Sequence, residues 1–210
     1  MSSESPRRTA RVPRQSRGKA RVDALVAAGA EVFAEQGFEA ATMTEIAARA
    51  GASIGSLYQY FPVKDDLAAE LHGRQLDAFA AMLESLTDTW SGEPVDRLAD
   101  RLFAQLLAFL EENPSFAIVG NRRSIDPEVK KAARNRLRGL IGNLLSKAAP
   151  PVPQDRLKPL SAVLLHLIRV ATQLKTDDDL SIRKTAVDEL RAMLKGHLVG
   201  LAGPDATASS

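Results

Sequence analysis

The chain has 210 residues, of which 45% are hydrophobic but only 5% aromatic, enough apolar material for a sizeable core in one or two domains. Cysteine is absent, which excludes disulfides and thiol catalysis, and the formal net charge is only +2. The apolar run over 159–168 is too short to cross a bilayer, and no apolar segment follows the early arginines as a secretory leader requires. The expected setting is therefore cytoplasmic, with no membrane partner.

The small net charge conceals a segregation. Residues 1–21 hold seven basic side chains (Arg7, Arg8, Arg11, Arg14, Arg17, Lys19 and Arg21) against the single acid Glu4. With Pro6, Pro13 and several serines, 1–18 is expected to be a disordered basic arm. Next, Val22, Leu25, Val26, Gly29 and Phe33 share one face and predict a helix over 19–36. Gly37 stops it, and Phe38 folds back as the hydrophobic partner of a helix C-cap.

Thr42 and Glu45 have capping-box spacing, so a second helix should start at Met43, with Ile46, Ala47 and Ala50 as its apolar stripe. Gly51 is placed to end it in the left-handed conformation, and Ser53 to cap a third helix over 54–60. Leu57 and Phe61 point inward. Ile54, Gly55, Ser56, Tyr58, Gln59 and Tyr60 are left on the surface, where a core helix would carry aliphatics. Two short helices about a glycine turn with this exposed set read as a helix-turn-helix for the major groove of DNA. Hydroxyls suit phosphate oxygens, Gln59 suits a base edge, Ile54 suits a thymine methyl, and Gly55 lets the backbone approach the duplex. Residues 22–64 are themselves acidic, with Asp23, Glu31, Glu35, Glu39 and Glu45 against Arg49 and Lys64. Attraction to phosphate must come largely from the arm, which is positioned to enter the adjacent minor groove.

Residues 22–67, and most tightly 42–67, resemble the N-terminal domain of the tetracycline-repressor (TetR) family of bacterial regulators. The run Ile46-Ala47 … Ala50-Gly51-Ala52-Ser53-Ile54-Gly55-Ser56-Leu57-Tyr58-Gln59-Tyr60-Phe61-Pro62 … Lys64 … Leu67 follows that family's signature. The resemblance implies phosphate contacts from the hydroxyls of Thr42 and Ser56, and phosphate and groove contacts from Tyr58 and Tyr60. It implies base-facing positions at Gly55 and Gln59, and a lysine at Lys64 that holds the DNA backbone. Arg17, Thr44, Ser53 and Ile54 complete the expected DNA-binding set. Val63 departs from the pattern, which usually has a capping polar residue there; Asp65 and Asp66 supply compensation through the helix dipole.

A fourth helix over 64–90 carries Leu67, Leu71, Phe79, Met82, Leu83, Leu86 and Trp90 at helical spacing. At 1.5 Å per residue it is roughly 40 Å long, reaching from the DNA into a second domain. Helices follow over 95–112 and, from an Asp126 N-cap and Pro127, over about 127–147, with a short turn at Phe116, Ile118 and Val119 between them. The stiff loop 150–153 leads to two last helices, 154–175 and 180–201, parted by the acidic turn at Asp177, Asp178 and Asp179. No strand pattern competes. The fold class expected is all-α, about nine helices: a three-helix DNA-binding domain over 19–64, a helical effector-binding and dimerisation domain over 65–202, and a flexible tail over 203–210.

The helix around Leu160–Leu174 is apolar nearly all round and needs burial on both sides. Leu160, Val163, Leu167, Val170 and Leu174, with Leu190, Met193, Leu194 and Leu198 of the last helix, are the expected seam of a homodimer, an arrangement the resemblance also implies. Two copies suit a two-fold operator with half-sites roughly 34–36 Å apart. The resemblance further implies a small-molecule pocket, with Phe79, Met82, Trp90, Phe103, Phe116 and Leu137 as candidate lining. His166, Arg169 and Gln173 share one face of an apolar helix and are candidate polar contacts to the effector. Arg122, Arg123, Lys130, Lys131, Arg134, Arg136 and Arg138 outnumber Asp126 and Glu128, which suits either a solvated face or an anionic effector such as an acyl thioester of coenzyme A.

The function expected is a repressor that binds a palindromic double-stranded DNA operator as a homodimer, associates with the nucleoid when bound, and is released by an unidentified small-molecule effector. The rivals are an architectural DNA binder without effector and an enzyme using the helical cavity. His72, His166 and His197 lie on different helices without partner acids or metal-ligand spacing, so no catalytic residue, metal or cofactor is expected.

Overall fold

A computed structural model describes residues 14–120, 122, 126–175 and 180–202. The first part of the basic arm, Arg123, the acidic turn and the tail lie outside the described residues. The elements in chain order are α1 (Arg14–Ala40), α2 (Met43–Arg49), α3 (Ile54–Tyr60), α4 (Lys64–Thr89), α5 (Val95–Glu112), α6 (Phe116–Gly120), α7 (Pro127–Ser146), α8 (Gln154–Lys175) and α9 (Leu180–Ala202). All regular elements among the described residues are helices, and the fold is all-α.

Local sequence explains the boundaries. α1 starts a turn earlier than expected, so Arg14 to Gly18 of the supposed arm are already helical. Gly37, at φ 77° and ψ 171°, breaks the helix, and the Phe38 ring stacks on Phe33 with centroids 5.3 Å apart. Thr42 Oγ1 accepts from the Glu45 N–H at 3.2 Å and Ser53 Oγ from the Ser56 N–H at 3.2 Å, one cap for each short helix. Only half of the expected capping box forms, because the Glu45 carboxylate accepts instead from Gln36 Nε2 at 2.5 Å. Gly51 turns the chain between α2 and α3 at φ 60°, a conformation that costs a side-chain-bearing residue more than glycine. At α4 the valine N-cap cannot accept a hydrogen bond, but the Asp66 carboxylate accepts from the Val63 N–H at 3.4 Å.

Two apolar cores result. Leu25, Phe33, Ile46 and Leu57 anchor the first, and it is completed by Leu67, Ala68 and Leu71 of α4 and Val119 of α6. By packing, therefore, the N-terminal unit runs on into α4, past residue 64. The second gathers Phe79, Leu83 and Leu86 of α4 with α5, α7, α8 and α9. Between the two cores α4 presents the buried polar residues His72 and Gln75, and Gln75 Nε2 donates to Ser115 Oγ at 2.9 Å.

Candidate nucleic-acid interface and an internal cavity

α3 is held by one fully buried residue, Leu57, while Ile54, Tyr58 and Tyr60 are 39%, 49% and 41% exposed. Thr42, Thr44, Ser53, Gly55 and Gln59 are exposed beside them, and Ser56 is half-buried. The hydroxyl oxygens of Thr42 and Ser53 accept from helix N–H groups, which leaves each O–H free to donate outward. A Cβ at Gly18 would lie 3.8 Å from the Tyr60 hydroxyl, so the start of α1, with exposed Arg17 and Lys19, lies beside the end of α3.

Other cations of this domain are occupied by the fold. Arg49 donates to Glu35 at 2.5 Å and pairs with Glu31 and Glu45 at 3.7 and 3.8 Å, and its hydrogen bond holds the Glu35 carboxyl below the usual range. Arg21 Nη1 donates to the Gly51 carbonyl at 3.4 Å. Lys64, expected to hold the DNA backbone, is engaged within the fold. Its Nζ turns inward and donates to the carbonyl oxygens of Phe38, Glu39 and Ala41 at 2.6, 3.2 and 2.8 Å, 4.5 Å from the Phe38 ring centroid. Phe38 and Glu39 lie in the last turn of α1 and Ala41 just beyond it, and the ammonium supplies the donors these carbonyls need.

A cavity of about 110 Å3 lies between α4, α6, α7 and α8. Leu76, Phe79, Phe116, Leu137, Leu165 and Ile168 give it apolar walls, and His72, Lys130 and Arg134 give it polar ones. Phe116 packs edge-on to Phe109 at 5.4 Å and lies 5.5 Å from the His72 ring. Gly120 makes room for that imidazole, since a Cβ there would meet His72 Cε1 at 2.9 Å. His72 Nδ1 is buried with no hydrogen-bond partner, and burial, reinforced by the Lys130 charge, lowers its pKa to about 4.

Of the expected effector contacts, Phe79, Phe116 and Leu137 line this cavity. Trp90 and Phe103 are buried in the core, and Met82 packs against that core. His166 and Gln173 are exposed, because α8 turns Leu165 and Ile168 to the cavity; the Arg169 side chain lies outside the described residues. The basic residues of the α6–α7 region divide in the same way. Arg122 pairs with Glu39 at 2.5 Å and Asp65 at 3.7 Å, Lys131 with Glu128 at 3.3 Å, and Arg136 with Asp77 at 2.6 Å. Much of the patch is thus neutralised, and Lys130 and Arg134 are its members at the cavity.

The expected dimer seam divides too. Leu160, Leu194 and Leu198 are buried in the chain's own core, with Leu167 and Leu190 packed against it. Val163, Val170 and Met193 are 51%, 40% and 70% exposed and are joined by Val199, which the helical pattern does not single out. The Leu174 side chain is outside the described residues. Helical periodicity alone cannot separate the two groups, since α8 is apolar on both faces.

The model for bacterial regulatory proteins of the tetR family matches residues 25–71, the whole of the α2–α3 unit with its flanks. Over residues 25–71 the chain is similar to the N-terminal domain of that family. The family is one of regulators rather than enzymes. Over 84 residues, 40% of the chain, it is 34% identical to the HTH-type transcriptional repressor KstR2 of Mycobacterium tuberculosis, 42% of whose length is matched. It is 33% identical over 84 residues, 38% of the chain, to the HTH-type transcriptional regulator HbdR of an Aromatoleum species, 34% of which is matched. The chain thus spans less than half the length of these curated relatives. Among solved structures, a TetR-like transcriptional regulator from Rhodococcus sp. RHA1 superposes with a TM-score of 0.60 at 24% identity, covering 90% of this chain and 100% of that one. At that identity the likeness is one of fold.

The family match ends at residue 71, one position before His72, whose signal in the sequence is a titratable residue on the buried stripe of α4. Two outcomes test these assignments. Lys64→Met leaves the end of α1 without its donor and lowers unfolding free energy by about 2 kcal/mol in urea titration. For His72 the unfolded value near 6.5 exceeds the folded value of about 4, so the unfolded chain takes up the proton first. Stability therefore falls as pH drops from roughly 6.5 to 4, by up to about 3 kcal/mol, and His72→Gln removes that part of the pH profile.

Proposed function

We propose that this chain is a DNA-binding transcriptional repressor that holds a palindromic operator as a homodimer and is released when a small molecule enters the cavity beside α4. The observation that carries the reading is the outer face of α3. Gly55 sits there in open space, where an added Cβ would meet nothing within 4 Å, so the fold gives no reason for a glycine. Ile54, Tyr58 and Tyr60 stand exposed around it, the arrangement expected if another surface approaches that backbone closely. The repressor and regulator functions of the curated relatives favour DNA as that surface. Thr42, Thr44, Ser53, Ser56 and Gln59 supply neutral donors, and Arg17 with the basic arm supplies charge.

The exposed apolar residues of α8 and α9, Val163, Val170, Met193 and Val199, support pairing through that face. For release, the favoured route runs through Lys130. It lines the cavity and donates to the Arg122 carbonyl, while the Arg122 guanidinium lies 3.7 Å from the Phe38 ring centroid and pairs with Glu39 and Asp65. A ligand that binds the DNA-incompetent form about 100-fold better supplies roughly 2.7 kcal/mol of coupling, enough for a switch.

Gel-shift titration of genomic fragments flanking the reading frame, followed by footprinting, tests the reading. One short two-fold footprint supports it, and broad coverage points to an architectural binder. Gly55→Ala stabilises the folded chain by about 0.5–1 kcal/mol yet weakens operator binding at least about tenfold, and Tyr58→Ala weakens it similarly without lowering Tm. Wild-type affinity in both variants counts against α3 as the reading helix. Arg122→Met leaves operator affinity near wild type and blunts the release caused by a cavity ligand; unchanged release shows that the signal travels elsewhere.

A further inference from the structure

The chemistry of the cavity narrows what it accepts. Its walls are mostly hydrocarbon and aromatic, with Phe79, Phe116, Leu137 and Ile168 among them. Its volume of about 110 Å3 is somewhat below the roughly 150 Å3 of an engineered cavity that holds benzene, so the buried body is that of a single ring or a short branched chain. Against that apolar lining stand two cationic side chains, Lys130 and Arg134, and no acidic side chain lines the cavity among the described residues. The Lys130 ammonium spends one of its three donors on the Arg122 carbonyl and keeps two. The buried His72 Nδ1 has no partner at all.

Each of these groups is costly as it stands. Two like charges beside an apolar wall have no acid lining the cavity among the described residues, and a buried ring nitrogen lacks a hydrogen bond. One ligand chemistry relieves all of them together. A carboxylate neutralises the cationic pair, accepts from the ammonium and the planar guanidinium, and can accept from a histidine N–H, while its hydrocarbon body fills the space by Phe79 and Phe116. A free phosphate would meet the charges but leave the apolar walls unfilled; a neutral hydrocarbon would do the reverse. We propose that this cavity is a binding site for a small monocarboxylate with a compact apolar body, its charge held by Lys130 and Arg134. The proposal rests on the regulatory reading above only for its consequence on DNA, since binding itself is measured without DNA.

The test is calorimetric titration and thermal unfolding of the full chain with benzoate, phenylacetate and 3-methylbutanoate, each beside its primary amide and beside inorganic phosphate. At least one carboxylate is expected to bind, raise Tm and move the His72 Cε1–H resonance, with its amide and phosphate at least about tenfold weaker. Lys130→Met and Arg134→Met each weaken that carboxylate by about ten- to a hundredfold, and Lys130→Arg restores most of the affinity. Apo-state Tm of each variant separates lost binding from lost folding. Equal binding of acid and amide, equal binding of phosphate, or no response to any of the three acids at millimolar concentration overturns the proposal. A carboxylate that binds as described but leaves the operator complex intact supports the site and sinks the release mechanism instead.

Discussion

Helix α4 belongs to two hydrophobic cores at once, and the arrangement of the molecule follows from that. Its first turns complete the core behind α2 and α3 through Leu67, Ala68 and Leu71, and its later turns join α5, α7, α8 and α9 through Phe79, Leu83 and Leu86. A continuous helix transmits displacement and rotation along its length because its hydrogen-bonded ladder resists bending. The two cores cannot be repacked independently while they share it. The polar layer at their boundary, with Gln75 bonded to Ser115, marks where the shared helix passes from one to the other. α6 reinforces the junction, since Val119 sits in the first core while Phe116 packs beside the second.

Charge is distributed by the same economy. An unsolvated or crowded cation is kept where it satisfies the fold, and little is left for the outer face of α3. Lys64 completes the end of α1, Arg49 binds three glutamates together, and Arg122 ties the chain just before α7 to Phe38, Glu39 and Asp65. These exposed pairs contribute little individually. Their collective effect is to hold one arrangement of α1, α2 and α4 without making the domain basic. Neutral hydroxyls and tyrosines then determine geometry at the outer face, while long-range attraction falls to residues such as Arg17 and those before it.

The three N-terminal helices are legible in the sequence because their ends are written in local chemistry. Thr42, Gly51 and Ser53 act within a few residues of themselves, and Gly37 breaks α1 where a stop is expected. The start of α1 is not legible, because arginine and serine residues suit a disordered arm and a helix equally. Lys64 escapes for a different reason: its position in a motif says where its Cα lies, not whether the end of α1 will offer it three nearby carbonyls from 23 to 26 residues away. Contacts across α7 and α8 are less legible still. A helix apolar nearly all round has no single apolar face, so neither the side that Val163 and Val170 expose nor the side that Leu165 and Ile168 present to the cavity can be chosen from periodicity.

His72 shows what kind of residue such reading passes over. A leucine at that point would extend the stripe of Leu67 and Leu71 and bury hydrocarbon at no cost in solvation. The imidazole is instead packed against Phe116, beneath a backbone that must be glycine at Gly120 to leave it space, with its Nδ1 unsatisfied. An unpaired buried nitrogen lowers stability by about 1–3 kcal/mol, and nothing in the packing of either core recovers it. Sites where a fold tolerates such a loss are commonly sites of function, because a group optimised for contact with something outside the chain is left incomplete by the chain alone. The same incompleteness holds for Arg134 on the opposite wall, which lines the cavity without an acid beside it among the described residues. Both lie where α4, α6 and α7 meet, so whatever completes them acts on the helix that the two cores share.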